Sequence, residues 1–118
     1  MNEYQKTVDR CKELGTDKEF QAWVKEQPSM LGGGITVFAH VRRAWNSGVG
    51  MKPLFSGVSL TDEQHKLQHQ KGELTCLQSR GWFVGESGRQ AVDKAKRIFD
   101  EWAEMYREKW ILTKEADQ

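Results

Sequence analysis

Residues 35–73 read ITVFAHVRRAWNSGVGMKPLFSGVSLTDEQHKLQHQKGE and carry the pattern from which the architecture follows. Ile35 to Val41 is rich in β-branched and aromatic residues and predicts a strand. Alternation places Phe38, His40 and Arg42 on one face, and Val37, Ala39 and Val41 on the other. Asn46-Ser-Gly-Val-Gly50 carries strong turn chemistry. Leu54 to Leu60 predicts a second, shorter strand interrupted by Gly57. Thr61 with Gln64 makes a capping box that opens a helix running to about Gln70, and Gly72 ends it.

Strand, loop, strand, helix is the order of a ββα-metal motif, and all three histidines of the chain fall inside it. His65 and His69 stand at i and i+4, which puts both imidazoles on one helix face about one turn apart. Two rings so placed can grip one divalent metal. On a polar helix the same spacing also suits two solvated histidines. His40 lies near the end of the first strand, where a general base can take a proton from water for attack on a phosphodiester. The plainer alternative is a polar residue hydrogen-bonded at a strand end. Between Pro28 and Thr61 there is no Asp or Glu, whereas Arg42, Arg43 and Lys52 are present. Guanidinium groups suit phosphate, phosphate contacts dominate nucleic-acid affinity, and glycines at 48 and 50 let backbone N–H groups approach an anion. The bland reading is a loop that is merely basic.

Outward from this stretch the pattern is helical. Tyr4, Val8, Cys11 and Leu14 recur at helical spacing over 3–14, with Gly15 placed to end the helix. Thr16 and Glu19 cap a second short helix whose apolar face uses Phe20, Trp23 and Val24. Leu31-Gly-Gly-Gly34 is a flexible turn. Residues 74–84 are ambiguous, with Gly81-Trp-Phe-Val-Gly85 resembling a buried turn or short strand. Ser87 and Gln90 cap the longest helix, about 88–112. Its stripe of Ala91, Ala95, Ile98, Phe99, Trp102, Met105, Tyr106 and Trp110 is expected to pack on the N-terminal helices. The tail after Thr113 is polar and expected to fray.

A chain of 118 residues suits one domain with a modest core, and five Trp and five Phe give that core bulk. The expected organisation is a helical segment over 1–34, the ββα motif over 35–73, a turn region and helix over 74–112, and the tail. The net charge of +1 gives no global bias toward nucleic acid or membrane. No apolar run approaches a spanning helix, and MNEYQKTVDR lacks an apolar secretory core, so no membrane association and a cytoplasmic location are expected. Cys11 and Cys76 form no CxxC pair and are expected to be free thiols.

Ala39-His-Val-Arg-Arg43, Gly48-Val-Gly-Met-Lys-Pro53, Ser59-Leu-Thr-Asp-Glu-Gln-His65 and Gln68-His-Gln-Lys-Gly-Glu73 together resemble the phage and prophage HNH-nuclease family that includes YbcO. The Ref-type recombination-enhancement nucleases are more distant. The match covers about residues 39–73, under a third of the chain. It implies an α+β fold, with a small HNH-like ββα-metal core flanked by N-terminal helices and a long C-terminal helix. It also implies a metal-dependent DNA endonuclease of a bacterial host's phage or prophage, serving recombination or DNA processing. His40 takes the place of the catalytic strand histidine, His65 and His69 the helix metal ligands, and Lys52-Pro53 the family's Lys-Pro. Arg42, Arg43 and Lys52 are the expected DNA contacts, and the cofactor is a divalent metal such as Mg²⁺, Mn²⁺, Zn²⁺ or Ni²⁺.

The departures are specific. Family cysteines that suit a structural zinc are replaced by Ser29, Met30, Thr61 and Gln64, so no zinc-cysteine site is expected. The acidic ligand that many relatives place beside the base is Ala39 here, and Leu54 and Phe55 follow Lys-Pro. A carboxylate would have to come from Asp62, Glu63 or Glu73. Imidazole ligands without one favour a transition metal over Mg²⁺. Two alternatives stand beside the enzyme: a non-catalytic nucleic-acid-binding module on the same scaffold, and a phage accessory protein docking a host protein through an aromatic helical face. A homodimer or a recombination-protein partner is compatible with each.

Overall fold

A computed structural model describes residues 3–43, 45, 46 and 52–117, with the Glu3 side chain excluded. The turn predicted at 46–50, and with it the expected role of Gly48 and Gly50, lies almost wholly outside the described residues. In chain order the described residues form α1 (Glu3–Leu14), α2 (Asp17–Lys25), β1 (Thr36–His40), β2 (Gly57–Thr61), α3 (Asp62–Lys71), α4 (Glu73–Gln78) and α5 (Arg89–Ala116). The fold is α+β, with five helices and one two-stranded antiparallel sheet. No helix among the described residues is long and apolar enough to cross a membrane.

The first two helices follow their sequence signals. Thr16 accepts the Glu19 N–H and Glu19 accepts the Thr16 N–H, the reciprocal box expected. Phe20 and Val24 are fully buried on the inner face of α2. β1 and β2 pair with Thr36 opposite Thr61 and His40 opposite Gly57. Of the face expected to go inward, Ala39 and Val41 are buried but Val37 is only partly so, as are Phe38 and His40 on the other face, while Arg42 is exposed.

β2 begins at Gly57 rather than Leu54, because neighbouring helices hold residues 54–56 in a turn. Tyr4 donates to the Leu54 carbonyl (2.9 Å), Asp17 accepts the Phe55 N–H (2.7 Å), and buried Arg107 donates to the Phe55 carbonyl (3.0 Å). Phe55 takes φ 52°, outside strand conformation.

Residues 74–84 contain an unforeseen helix. α4 buries Cys76 and Leu77, and residues 81–85 then form a turn in which Trp82 and Val84 are 38% and 73% exposed, correcting the expected buried turn or strand. α5 also departs from expectation at both ends. Its N-cap is Gly88 at φ 87°, with no side-chain cap, so Ser87 and Gln90 do not form the predicted box. Its C-terminus runs to Ala116 instead of fraying after Thr113. Glu115 accepts from Arg10 of α1 (2.8 Å) and Lys114 reaches Glu19 of α2 (3.5 Å), so tertiary pairing holds a tail that is too polar to bury.

α5 supplies the spine of the core. Ala95, Phe99, Ala103, Tyr106 and Trp110 are buried against α1, α2, α4 and the sheet, and Phe20, Phe55 and Trp110 meet at centroid separations of 5.5–5.6 Å. Cys11 and Cys76 are buried free thiols, which burial pushes up to about 12 and about 11.

Candidate functional site

Two devices fix the histidine-bearing elements. The first is a capping box at the start of α3. Thr61 Oγ1 accepts the Gln64 N–H (3.2 Å), and Gln64 Oε1 accepts the Thr61 N–H (2.9 Å). Gln64 is buried, and its amide also accepts from Ser29 Oγ (2.6 Å) and donates to the Gly32 carbonyl (2.9 Å). The box therefore caps the helix and also ties it to the segment before β1. The second device is Gln68, whose Nε2 donates to the His40 carbonyl (3.1 Å) and so joins α3 to the end of β1.

These constraints bring His40, His65 and His69 to one cleft of about 680 Å³. The His40 ring stands edge-on to Phe38, with centroids 4.9 Å apart. The His65 and His69 rings lie 6.3 Å apart. Arg42 and Lys52 line the same cleft and are exposed, as are Lys71 and Lys96, which the sequence did not single out. Burial and then the charge of Lys52 hold His40 below its ordinary value; burial and then His69 do the same for His65. Both imidazoles are thereby biased toward the neutral form, which a proton acceptor or a metal ligand requires.

Arg43 is placed differently from Arg42 and Lys52. Its Nη2 donates to Glu73 Oε1 (2.8 Å) and to the Lys96 carbonyl (3.1 Å). Its Nε lies 2.9 Å from Asp100 Oδ1, but not in hydrogen-bonding alignment, so that contact is Coulombic. Only 12% of the side chain is exposed. The guanidinium lines the same cleft but also ties β1's exit to α4 and α5, a role Arg42 and Lys52 do not share.

Of the three acids considered as a missing ligand, Glu73 alone lines the histidine cleft. Asp62 and Glu63 border a separate depression with Gly33, Ile35 and Arg80, and Asp62 pairs with Lys66. Burial raises the Glu73 carboxyl even against the attraction of Arg43. Among the described residues no three His, Cys, Asp or Glu side chains converge to hold a metal. His65 and His69, whose rings lie 6.3 Å apart on one helix face, are the residues that could hold a divalent ion here. Comparison with family models, curated proteins and solved structures finds no match to this chain.

Proposed function

We propose that the chain is an HNH-like, metal-dependent endonuclease that hydrolyses DNA phosphodiester bonds, with β1, β2 and α3 as its ββα-metal core and phage or prophage DNA processing as its setting. The observation that carries this reading is that three histidines from two separate elements line one cleft beside the exposed cations Arg42 and Lys52.

His40, neutral at physiological pH, takes a proton from water. The hydroxide oxygen forms a new bond to phosphorus, the P–O bond to the leaving sugar oxygen breaks, and that oxygen receives a proton from solvent. Arg42 and Lys52 hold the phosphate oxygens. His65 and His69 are the residues that would hold a divalent ion, which when bound supplies charge neutralisation at the scissile phosphate.

Incubation with plasmid and with single-stranded DNA, adding Mg²⁺, Mn²⁺, Zn²⁺ or Ni²⁺ in turn, tests the reading. Metal-dependent cutting is expected, falling by about 10²- to 10⁴-fold in His40→Ala. No cutting with any metal, or a His40→Ala protein that cuts like wild type, overturns it. The second reading, a DNA-binding module without catalysis, is favoured by the lack of a third converging ligand among the described residues. Its signature is salt-dependent binding that ignores chelator, with no cleavage.

A further inference from the structure

The cleft extends beyond the histidines. α3 lines it from His65 to Lys71, about 9 Å of helix axis at 1.5 Å per residue. At the far end the other wall is α5, which contributes Val92 and Lys96. These two residues are four apart and share a helix face. Arg43 fixes that wall by donating to the Lys96 carbonyl, and it neutralises Glu73, the one acidic side chain among the described residues of the lining.

What remains at this end is cationic with an apolar spot. Lys66, Lys94 and Lys114 each pair with a carboxylate within hydrogen-bonding reach; Lys71 and Lys96 are exposed and have no such contact among the described residues, though Lys96 feels the charge of Asp100 one turn along α5. Val92 is 38% exposed on α5, and Leu74, which lines the same cleft, is only partly buried. Phosphates of one duplex strand advance by about 3.4 Å of axis; an extended single strand spaces them more widely, so the 9 Å wall accommodates a neighbouring pair. Exposed ammonium groups suit a phosphate, and an exposed aliphatic surface beside them suits the apolar face of a base.

We propose that Lys71 and Lys96, together with Val92 and Leu74, form a subsite for the nucleotide adjoining the one at the histidines, so that a single strand lies lengthwise along α3. The subsite rests on the cleft being a nucleic-acid site, as proposed above. The ammonium groups take the neighbouring phosphate and the aliphatic pair takes its base.

The test is fluorescence anisotropy in chelator, so that binding is read without cleavage. The probes are oligothymidylates of increasing length, an abasic strand of matched length and poly-glutamate. Lys71→Ala/Lys96→Ala is expected to weaken oligothymidylate binding about tenfold and to lower the salt slope by roughly 0.7 for each phosphate no longer neutralised. Val92→Ser is expected to erase an about fivefold preference for the base-bearing strand over the abasic one. A double variant that binds within about twofold of wild type with an unchanged salt slope overturns the subsite and leaves the nuclease reading intact. Equal wild-type affinity for abasic and base-bearing strands also overturns it. Equal affinity for poly-glutamate overturns it in favour of an acidic peptide. A wild-type protein that binds no strand overturns both readings.

Discussion

Phe38 lays the tip of its ring against the backbone of Gly57: a Cβ on Gly57 would stand 2.1 Å from Phe38 Cζ. Gly57 is the register partner of His40, and the Phe38 ring meets the His40 ring edge-on. A missing side chain on β2 therefore seats the aromatic ring that props the histidine. Gly57→Ala is expected to destabilise the protein by about 2 kcal/mol, the scale of overpacking a filled site. Phe38→Leu in the same chain should restore part of the loss. Urea unfolding of the wild type and the two variants checks this, and no loss in Gly57→Ala would show that the ring is free to move.

Gln64 is the joint between α3 and the segment preceding β1. Gln64→Ala leaves Ser29 Oγ, the Thr61 N–H and the Gly32 carbonyl without the partner each has now. A cost of about 2 kcal/mol is expected, since the buried Ser29 hydroxyl loses its acceptor and the two part-buried bonds to Thr61 and Gly32 are lost with it. Hydrogen exchange should accelerate at the first turn of α3 more than in α5.

His40 and Lys52 are coupled through charge. Lys52 lowers the His40 pKa, acting with burial. Lys52→Met should therefore raise it, which NMR titration of the imidazole ring protons reads directly. In the wild type the imidazole titrates below the ordinary value of 6.5. The acid limb of any His40-dependent activity is thus expected below that pH, with activity lost as pH falls through the His40 pKa. In Lys52→Met the limb should move up. An unshifted His40 titration would separate the two residues electrostatically.

Glu73 gives a pH signature of opposite sign. Burial raises its pKa in the fold above the ordinary 4.5, so the folded state holds its proton more tightly than the unfolded chain. Its contribution to stability is full below the unfolded value and is lost as pH rises through the folded one. Relative to Glu73→Gln, the wild type should gain stability as pH falls from 7 toward 4.5. Arg43→Met, which strands the buried carboxylate, is expected to cost about 3 kcal/mol at pH 7, and less in mild acid. Thermal melts across pH compare the three proteins.

His65 and His69 predict a metal effect readable without substrate. Zn²⁺ or Ni²⁺ is expected to raise Tm in the wild type through preferential binding to the folded state. His65→Ala/His69→Ala should abolish the shift, and chelator should reverse it. A shift that persists in the double variant would place the ion elsewhere.

Local signals in the sequence determined much of this protein. Two of the three expected capping boxes and the placement of His65 and His69 on one helix face depend on residues within four positions of each other, where propensity and hydrogen-bond chemistry act directly. Contacts across the chain decided the rest. Phe55 leaves strand geometry because Asp17, Tyr4 and Arg107 bond its neighbourhood. α4 forms where burial of Cys76 and Leu77 outweighs an ambiguous local pattern. The polar end of α5 stays helical because α1 and α2 offer Arg10 and Glu19. That His40, His65 and His69 fall within one strand–loop–strand–helix window was legible from their order in the sequence. That the basic residues of this window divide into the exposed Arg42 and Lys52 and the enclosed Arg43 was not, because Glu73 and Asp100 lie 30 and 57 positions away from Arg43.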